Sequence, residues 1–599
     1  MKNFWKYFLA TILGVLVTLG LFVLIFSAII GSAVSNFDKS KKATVSVPAN
    51  AILKIDFSSV LAEQDDENPI AGFTPSLLGG GDENSIGILK AVKAVEHAID
   101  DPNIKMIYIN TDNVSGGIAR LEELRAVLKE FHEESGKPIV SYAENYTNAG
   151  YYIASVSDKI MMNKFGESQV TGLATSMNFY KDLFDKLGVQ IQLIRHGKYK
   201  SAGEPYIANH ISDANREMTQ EMLNSEWATI TEGVCASRNI PVDSLNGYID
   251  NLELLDAESM LAHGLIDEVA YKDSLEAYLC TMTNVKKPSD LKVVSLEDYA
   301  EAVVVPDFKV PAKIAVIYAN GEIESGNSED EITDGNFCKI LRKVRADSSV
   351  KAVVFRVNSP GGSAQAAENI RREVELLKAV KPVVASYGTY AASGGYWISA
   401  GCDSIITDNT TLTGSIGVFS VVPCGEGLLN DKLHIHNAVI TTNKHGAMGN
   451  VFTPLAPEET AYMQKAIEMI YEEFTSLVSE GRGMSVAMVD SLGQGRVWTG
   501  REALQNGLAD KKGGIADAID CAAGMAGLSR YRIAEYPEPK DAMTRIMNML
   551  NKNSGSSDAS AVILRLLTRA SSDAAVDPSV FLTDPRGIYA RMEYVYDIK

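Results

Sequence analysis

The sequence predicts an α/β protein of two tandem βαβ domains preceded by one membrane-spanning helix. Three observations carry this prediction: a series of motifs that recurs once along the chain, short apolar strands alternating with amphipathic helices inside each copy, and one long uncharged stretch near the N-terminus. At 599 residues the chain exceeds what a single hydrophobic core supports. Its 46% apolar and 22% charged residues are those of a globular protein. A net charge of −20 without a basic block argues against nucleic acid as a partner.

The recurrence is residue by residue. Asn103-Ile-Lys-Met-Ile-Tyr-Ile-Asn110 is answered by Ser349-Val-Lys-Ala-Val-Val-Phe-Arg356, and each run is followed by a Gly-Gly turn, Gly116-Gly117 and Gly361-Gly362. Gly136-Lys-Pro-Ile-Val-Ser141 answers Val380-Lys-Pro-Val-Val-Ala385, Gly150-Tyr-Tyr-Ile153 answers Gly395-Tyr-Trp-Ile398, and Thr171-Gly172 answers Thr413-Gly414. The offset stays between 242 and 246 residues, as expected of one domain copied. Within the second copy, Lys351 to Val357 reads as a β-branched strand, Ala364 to Ala379 as a helix and Pro382 to Ser386 as a short buried strand. Strands alternating with helices imply right-handed crossovers and a parallel sheet.

Four segments follow from this pattern: an anchor over 1–45, a first repeat over 46–304, a second over 305–540 and a tail over 541–599. Prolines in Glu301 to Pro311 separate the repeats, and the region from Ile207 to Val304 is mostly helical by pattern. Phe8 to Val34 is uncharged for 27 residues, where a bilayer core needs about 20. Gly31-Ser32-Ala33 offers a signal-peptidase cutting site, but the apolar core is longer than a signal peptide's, which favours an uncleaved anchor. Lysines flank both ends, so charge barely sets the orientation. The six cysteines are scattered without metal spacing and read as small core residues, leaving no metal and no cofactor to expect.

Two Gly-rich turns could carry chemistry. Tyr390-Ala-Ala-Ser-Gly-Gly-Tyr-Trp-Ile-Ser399 puts Ser393 after a buried strand and at a helix start, where it is either an N-cap or a nucleophile. Asn358-Ser-Pro-Gly-Gly-Ser363 ends the preceding strand at the same sheet edge, and its Gly361 and Gly362 amides, with Gly394, can form an oxyanion pair or simply a tight turn. No histidine sits beside either turn. The alternative base is a lysine whose pKa has been lowered from ~10.4 towards neutrality. The first copy offers Lys198 and Lys200, which in extended chain point the same way. Ser393 corresponds to Asn148 in copy one, and setting His196-Gly197 against His445-Gly446 places Lys200 opposite Gly449. Each copy lacks what the other holds, so a single site assembled from both halves, or across subunits, is expected. His434 and His436 alternate on an apparent strand.

These residues resemble the signal peptide peptidase A family in its long, duplicated protease IV form, within the ClpP/crotonase-like superfamily. The likeness runs through GKYKSAGEPY (197–206), VNSPGGS (357–363), AASGGYWIS (391–399), LTGSIG (412–417), VWTG (497–500) and DPRGIYA (584–590). The resemblance implies two tandem ClpP/crotonase-like domains, Ser393 as nucleophile and Lys200 as general base. It implies Ser415 orienting the amine, and Gly362 and Gly394 amides near the acyl oxygen. It further implies a bowl-shaped homo-tetramer on the outer face of the cytoplasmic membrane that degrades released signal peptides and similar short apolar peptides. Gly203 departs from the bulkier residue usual after Ser-Ala. Two other readings fit parts of the pattern: a crotonase-type acyl-CoA enzyme holding an enolate on the Gly amides, and a non-catalytic membrane scaffold. Ser393 paired with Lys200 argues against both.

Overall fold

A computed structural model describes residues 47–57, 60–65, 85–112, 114, 116–328, 331–538 and 588–592. The expected anchor and most of the tail after Asp541 lie outside the described residues. Among the described residues no helix is long and apolar enough to cross a membrane.

The duplication reappears as two sheets with one strand order. In the front half, Glu268–Val269, Lys159–Met162, Ile139–Ala143, Ile104–Asn110, Ala51–Asp56 and Val293–Ser295 lie side by side, all parallel. In the back half Lys511–Lys512, Ser404–Thr407, Val383–Ala392, Val350–Ser359, Lys313–Asn320 and Arg532–Tyr536 take the same places, again parallel. Fully covered parallel strands need apolar residues on both faces. Val383–Ala392 meets this at every position, since all ten of its residues are buried. It runs beyond the expected Ser386 because its far end gains a second partner, Leu412–Gly414, through Tyr390, Ala391 and Ala392. Val350–Ser359 likewise extends past Val357, delivering the chain into the Gly361-Gly362 turn. The region after Ile207 is largely helical, dominated by Asp213–Arg238.

A third, smaller sheet joins the copies. Its order is Ile332–Thr333, Ile323–Glu324, Gly361–Ser363, Tyr589–Arg591, Val418–Cys424 and Gln190–His196. Gln190–His196 comes from the front half, yet it pairs antiparallel with Val418–Cys424 of the back half over seven residues, from Gln190↔Cys424 to His196↔Val418. The strand expected at His434 and His436 does not form. Leu428 N–H donates to the Gly188 carbonyl at 2.8 Å, which turns the chain into a single π-turn, Leu428–Lys432, and then into exposed chain. The six cysteines are free, five of them buried.

The two copies also share a core. Leu121, Leu124 and Leu128 of helix Ile118–Ser135 lie in one apolar cluster with Val354 and Val384 of the second sheet. At its heart sits a polar junction. The buried Arg356 guanidinium donates to Glu63 at 2.8 Å and to Glu123 at 2.6 Å, both from the front half, and to Ser386 and the Tyr387 carbonyl. Glu123 also accepts from Ile515 N–H, and Glu122 accepts from Thr410 N–H and hydroxyl. Burial pushes the Glu123 carboxyl up and neighbouring Asp408 well up, so the junction depends on the arginine to hold its carboxylates.

Breaking a buried pair from one side costs about 3–5 kcal/mol because the other charge stays buried. Arg356→Met should therefore lose stability of that order in urea or thermal unfolding. The loss should be larger at pH 8 than at pH 5, where the abandoned Glu123 carboxyl takes up a proton. A loss independent of pH would show that the arginine acts through packing alone.

Candidate active site

Ser393 stands where the second sheet's longest buried strand meets a four-residue helix, Gly394–Trp397. Its backbone adopts φ 55° and ψ −113°, a conformation L-residues rarely take and one that turns the side chain out of the strand direction. The turn is held from both sides: Ser393 N–H donates to the Gly414 carbonyl at 2.8 Å, and the Ser393 carbonyl accepts from Trp397 N–H at 2.8 Å. Gly361, with φ 103°, closes the neighbouring turn. A Cβ on Gly394 would come within 3.1 Å of both Gly361 Cα and Gly362 N, so a side chain there would push the two converging turns apart. The three glycines expected to line one spot are thus together beside Ser393.

Lys200 arrives from the front half. The strand Gln190–His196 carries it along Val418–Cys424, the strand that directly follows LTGSIG. Its side chain is fully buried, and Nζ stands 3.1 Å from Ser393 Oγ, 2.8 Å from Ser415 Oγ and 3.2 Å from the Ser415 carbonyl. The buried Phe419 ring lies 5.9 Å from the amine. Ser415 is itself at φ 49°, pinned by its N–H to the Arg496 carbonyl at 2.7 Å. Ser393, Lys200 and Ser415 therefore form one continuous contact, made within a single chain.

Lys198 is elsewhere. The chain between Gly197 and Lys200 turns instead of running extended, and Gly197 takes φ 115° to allow it. Lys198 is 61% exposed in its side chain, over the Tyr199 ring and near Glu217. Asn148, the first copy's counterpart of Ser393, plays a structural part: its amide accepts from Thr171 and Gly172 N–H and donates to the Gly172 carbonyl. The stretch around His445 and Gly449, matched to the lysine turn, lies in exposed chain.

Several supports were not read from the sequence. Arg195 donates to the Lys200 carbonyl at 2.6 Å and approaches Glu204, which is buried and also accepts from Ser212 Oγ and Asn215 Nδ2. Tyr199 N–H donates to the Gln494 carbonyl at 2.8 Å. Beside it, Gly495 (φ 81°) packs so closely that a Cβ would stand 2.5 Å from Lys200 N. Glu204 lies within GKYKSAGEPY, but nothing in spacing alone connects Gly495 to a lysine 295 residues earlier. The departure at Gly203 has a local cause, since a Cβ there would meet Leu193 Cδ1 at 2.3 Å.

Chemically, an amine within hydrogen-bond reach of a buried alcohol can take that alcohol's proton, and adjacent Gly amides can receive the charge that forms on an attacked carbonyl. The model for peptidase family S49 matches this chain twice, over 132–286, which contains Lys200, and over 375–529, which contains Ser393. The chain belongs to peptidase family S49. Its relatives in the family include Protease 4 of Haemophilus influenzae, 35% identical over 537 residues, covering 87% of this chain and 86% of that one. Protease 4 of Salmonella typhi is 34% identical, covering 84% and 82%. The chloroplastic serine protease SPPA of Arabidopsis thaliana is 30% identical, covering 75% and 67%. Among solved structures, ClpP1 from Listeria monocytogenes aligns with 33% of this chain and 89% of its own at 17% identity, with a TM-score of 0.21. As an S49 member this chain is a serine peptidase.

The tight approach of Gly495 gives a direct test. Gly495→Ala would force the Lys200 turn away, and misplacements of about 1 Å can cost ~100-fold in rate. Peptidase activity should fall by that order, and the unfolding temperature should drop as well, because φ 81° and the backbone contacts strain an alanine there. Unchanged turnover would mean that the loop does not fix the amine.

Proposed function

We propose that this chain is a membrane-tethered S49 endopeptidase that degrades released signal peptides and similar short apolar peptides, using Ser393 as nucleophile and Lys200 as general base. The observation that carries the reading is the buried 3.1 Å contact between Lys200 Nζ and Ser393 Oγ. In the acylation step Ser393 Oγ bonds to the substrate carbonyl carbon while Lys200 takes the hydroxyl proton. Gly362 and Gly394 amides, with Gly361 shaping the turn, receive the oxyanion. Lys200 then returns the proton to the leaving amine, and a water activated by the same amine hydrolyses the ester. Ser415 orients the amine throughout. Burial disfavours an ammonium, so the enclosure of Lys200 favours the neutral base this chemistry needs.

The substrate class rests on kinship and on the apolar surroundings of the site. A relative in Enterococcus faecium, 33% identical over 44% of this chain, is named as a signal peptide peptidase. Tethering rests on the uncharged run from Phe8 to Val34, and the outer face of the cytoplasmic membrane on the family resemblance alone. Association of copies of this chain is supported by the duplication, and the number four, a homo-tetramer, rests on the family resemblance. The arm of copy one completes copy two within the chain, whereas the corresponding arm of copy two leaves Leu433, Ile435, Ile440 and Val451 exposed, Ile440 at 95%. A neighbour's front half is the natural receptor for that arm.

Turnover of a signal-peptide-like fluorogenic substrate should vanish in Ser393→Ala and in Lys200→Ala and survive in Lys198→Ala. Because only the neutral amine is a base, kcat/KM should rise with pH and level off well below the ~10.4 of a free lysine. Activity that persists in Lys200→Ala, or that rises only near pH ~10, would remove Lys200 from the role. Ile440→Asp should convert the assembly to smaller species in light scattering; an unchanged mass would refute the arm as the contact.

A further inference from the structure

The helix Pro457–Arg482 reaches the lysine turn with one buried side chain, Tyr471, that touches the chain on both sides of it. The ring stacks on His196, the residue at which the delivering strand ends, with centroids 3.7 Å apart and planes 21° from parallel. Glu468, one helical turn before Tyr471, holds the same His196 ring at Nδ1. The hydroxyl serves the opposing loop. It donates to Asp490 Oδ1 at 2.7 Å and accepts from Gln494 N–H at 3.2 Å, while the Gln494 side-chain amide also donates to Asp490. Gln494 takes φ 56°, a left-handed conformation that costs a residue with a Cβ, and its carbonyl is the one that accepts from Tyr199 N–H. A Cβ on Gly197 would stand 2.5 Å from Gln494 C, so the lysine turn and this loop meet backbone to backbone. One side chain therefore ties the strand that delivers Lys200 to the loop that seats it.

The duplication supplies an internal comparison. Helices Asp213–Arg238 and Pro457–Arg482 have 26 residues each and stand 244 residues apart, as do the starts of Val242–Asp250 and Val486–Leu492. At this offset Tyr471 answers Trp227, and Asp490 answers Asn246. One hydrogen bond is common to both copies: Trp227 Nε1 donates to Asn246 Oδ1 at 2.9 Å where Tyr471 donates to Asp490. An indole N–H only donates, whereas a phenol hydroxyl also accepts. The front copy thus has the tie between its two helices and nothing more to offer. The back copy, which receives the lysine, has a group able to take a second hydrogen bond, and Gln494 N–H fills it. Helix packing accounts for the shared half; the acceptor is the part that goes with the lysine.

We propose that Tyr471 is a positioning residue for the proton transfer. Its hydroxyl holds Gln494 in the left-handed conformation, and the Gln494–Gly495 backbone keeps Lys200 Nζ against Ser393 Oγ. The proposal rests on the dyad assigned above. The titratable groups facing the phenol are His196, Glu468 and Asp490, and the amine itself faces Ser393, Ser415 and the Phe419 ring. Removing the hydroxyl alone leaves the ring stack and the His196–Glu468 contact in place but frees the Gln494 peptide. The lysine turn then relaxes and water reaches the amine. Its ammonium form regains hydration, so the neutral base becomes scarcer at a given pH.

Steady-state kinetics of the full chain across pH, with a fluorogenic apolar peptide, test this. In Tyr471→Phe kcat should fall about tenfold, part of the ~100-fold that a misplacement of about 1 Å can cost, with KM nearly unchanged. The rising limb of kcat/KM should move up, towards the ~10.4 of a free lysine. Trp227→Phe, which breaks the matching hydrogen bond in the front copy, should lower the unfolding temperature yet leave the limb in its wild-type place. Should Tyr471→Phe fail to fold, Asp490→Ala, which lets the hydroxyl swing away from Gln494, should move the limb in the same direction. A folded variant of this pair that keeps the wild-type kcat and limb, beside an inactive Lys200→Ala, would overturn the positioning role and leave the dyad standing. A limb that moves as far in Trp227→Phe would also overturn it, because general loosening would then suffice. Lys200→Ala that still hydrolyses the peptide would sink the dyad and this proposal together.

Discussion

Everything in this architecture answers to one short contact, an amine from the front half held against an alcohol from the back half in a fully buried place. Both groups lose their hydration when buried, and the contact between them is useful only if the distance is kept within tenths of an ångström. Two tandem domains joined by a surface linker would not provide that. Here the seven-residue pairing of Gln190–His196 with Val418–Cys424 fixes the direction of approach, and the Gly495 backbone fixes the depth. The Arg356 junction with Glu63 and Glu123 keeps the parent sheets from sliding. A buried ionic junction is weak evidence for stability in itself. Its place between the copies points to registration as its service.

The local code made much of this legible. β-branched runs bounded by Gly turns gave the parallel strands, because their burial on both faces leaves little choice of residue, and the constant offset exposed the duplication. Ser393 could be singled out since its turn type is written in three consecutive residues. The lysine was harder. Lys198 and Lys200 look equivalent in extended chain, and only the turn at Gly197 sends one into the core and the other to solvent. The small third sheet was invisible, as was the Arg356 junction, whose partners lie 293 and 233 residues away. Such features depend on pairing across the whole chain, which no window of neighbouring residues records.

Backbone strain concentrates at the same place. Ser393 and Ser415 both hold positive φ values, rare for residues with a Cβ, and each is fixed by a hydrogen bond from its own N–H to a carbonyl of a different strand or loop. Such conformations cost on the order of 1–3 kcal/mol and persist only where the surroundings over-determine them. The carbonyl of Gly414 holds Ser393, while the Arg496 carbonyl holds the Ser415 N–H of that same peptide unit, so the two hydroxyls that meet the amine are set by one linked chain of hydrogen bonds.

The crossing of the arm from one copy to the other has a temporal consequence. Chains emerge from the ribosome front end first, and domains commonly fold as they appear. The front copy is then complete in its own sheet while Lys200 has no Ser393 to meet. The loop that seats that lysine, around Gln494 and Gly495, is among the last parts of the second copy to be made. The buried contact between Lys200 and Ser393 therefore forms only once nearly all of both copies has been made.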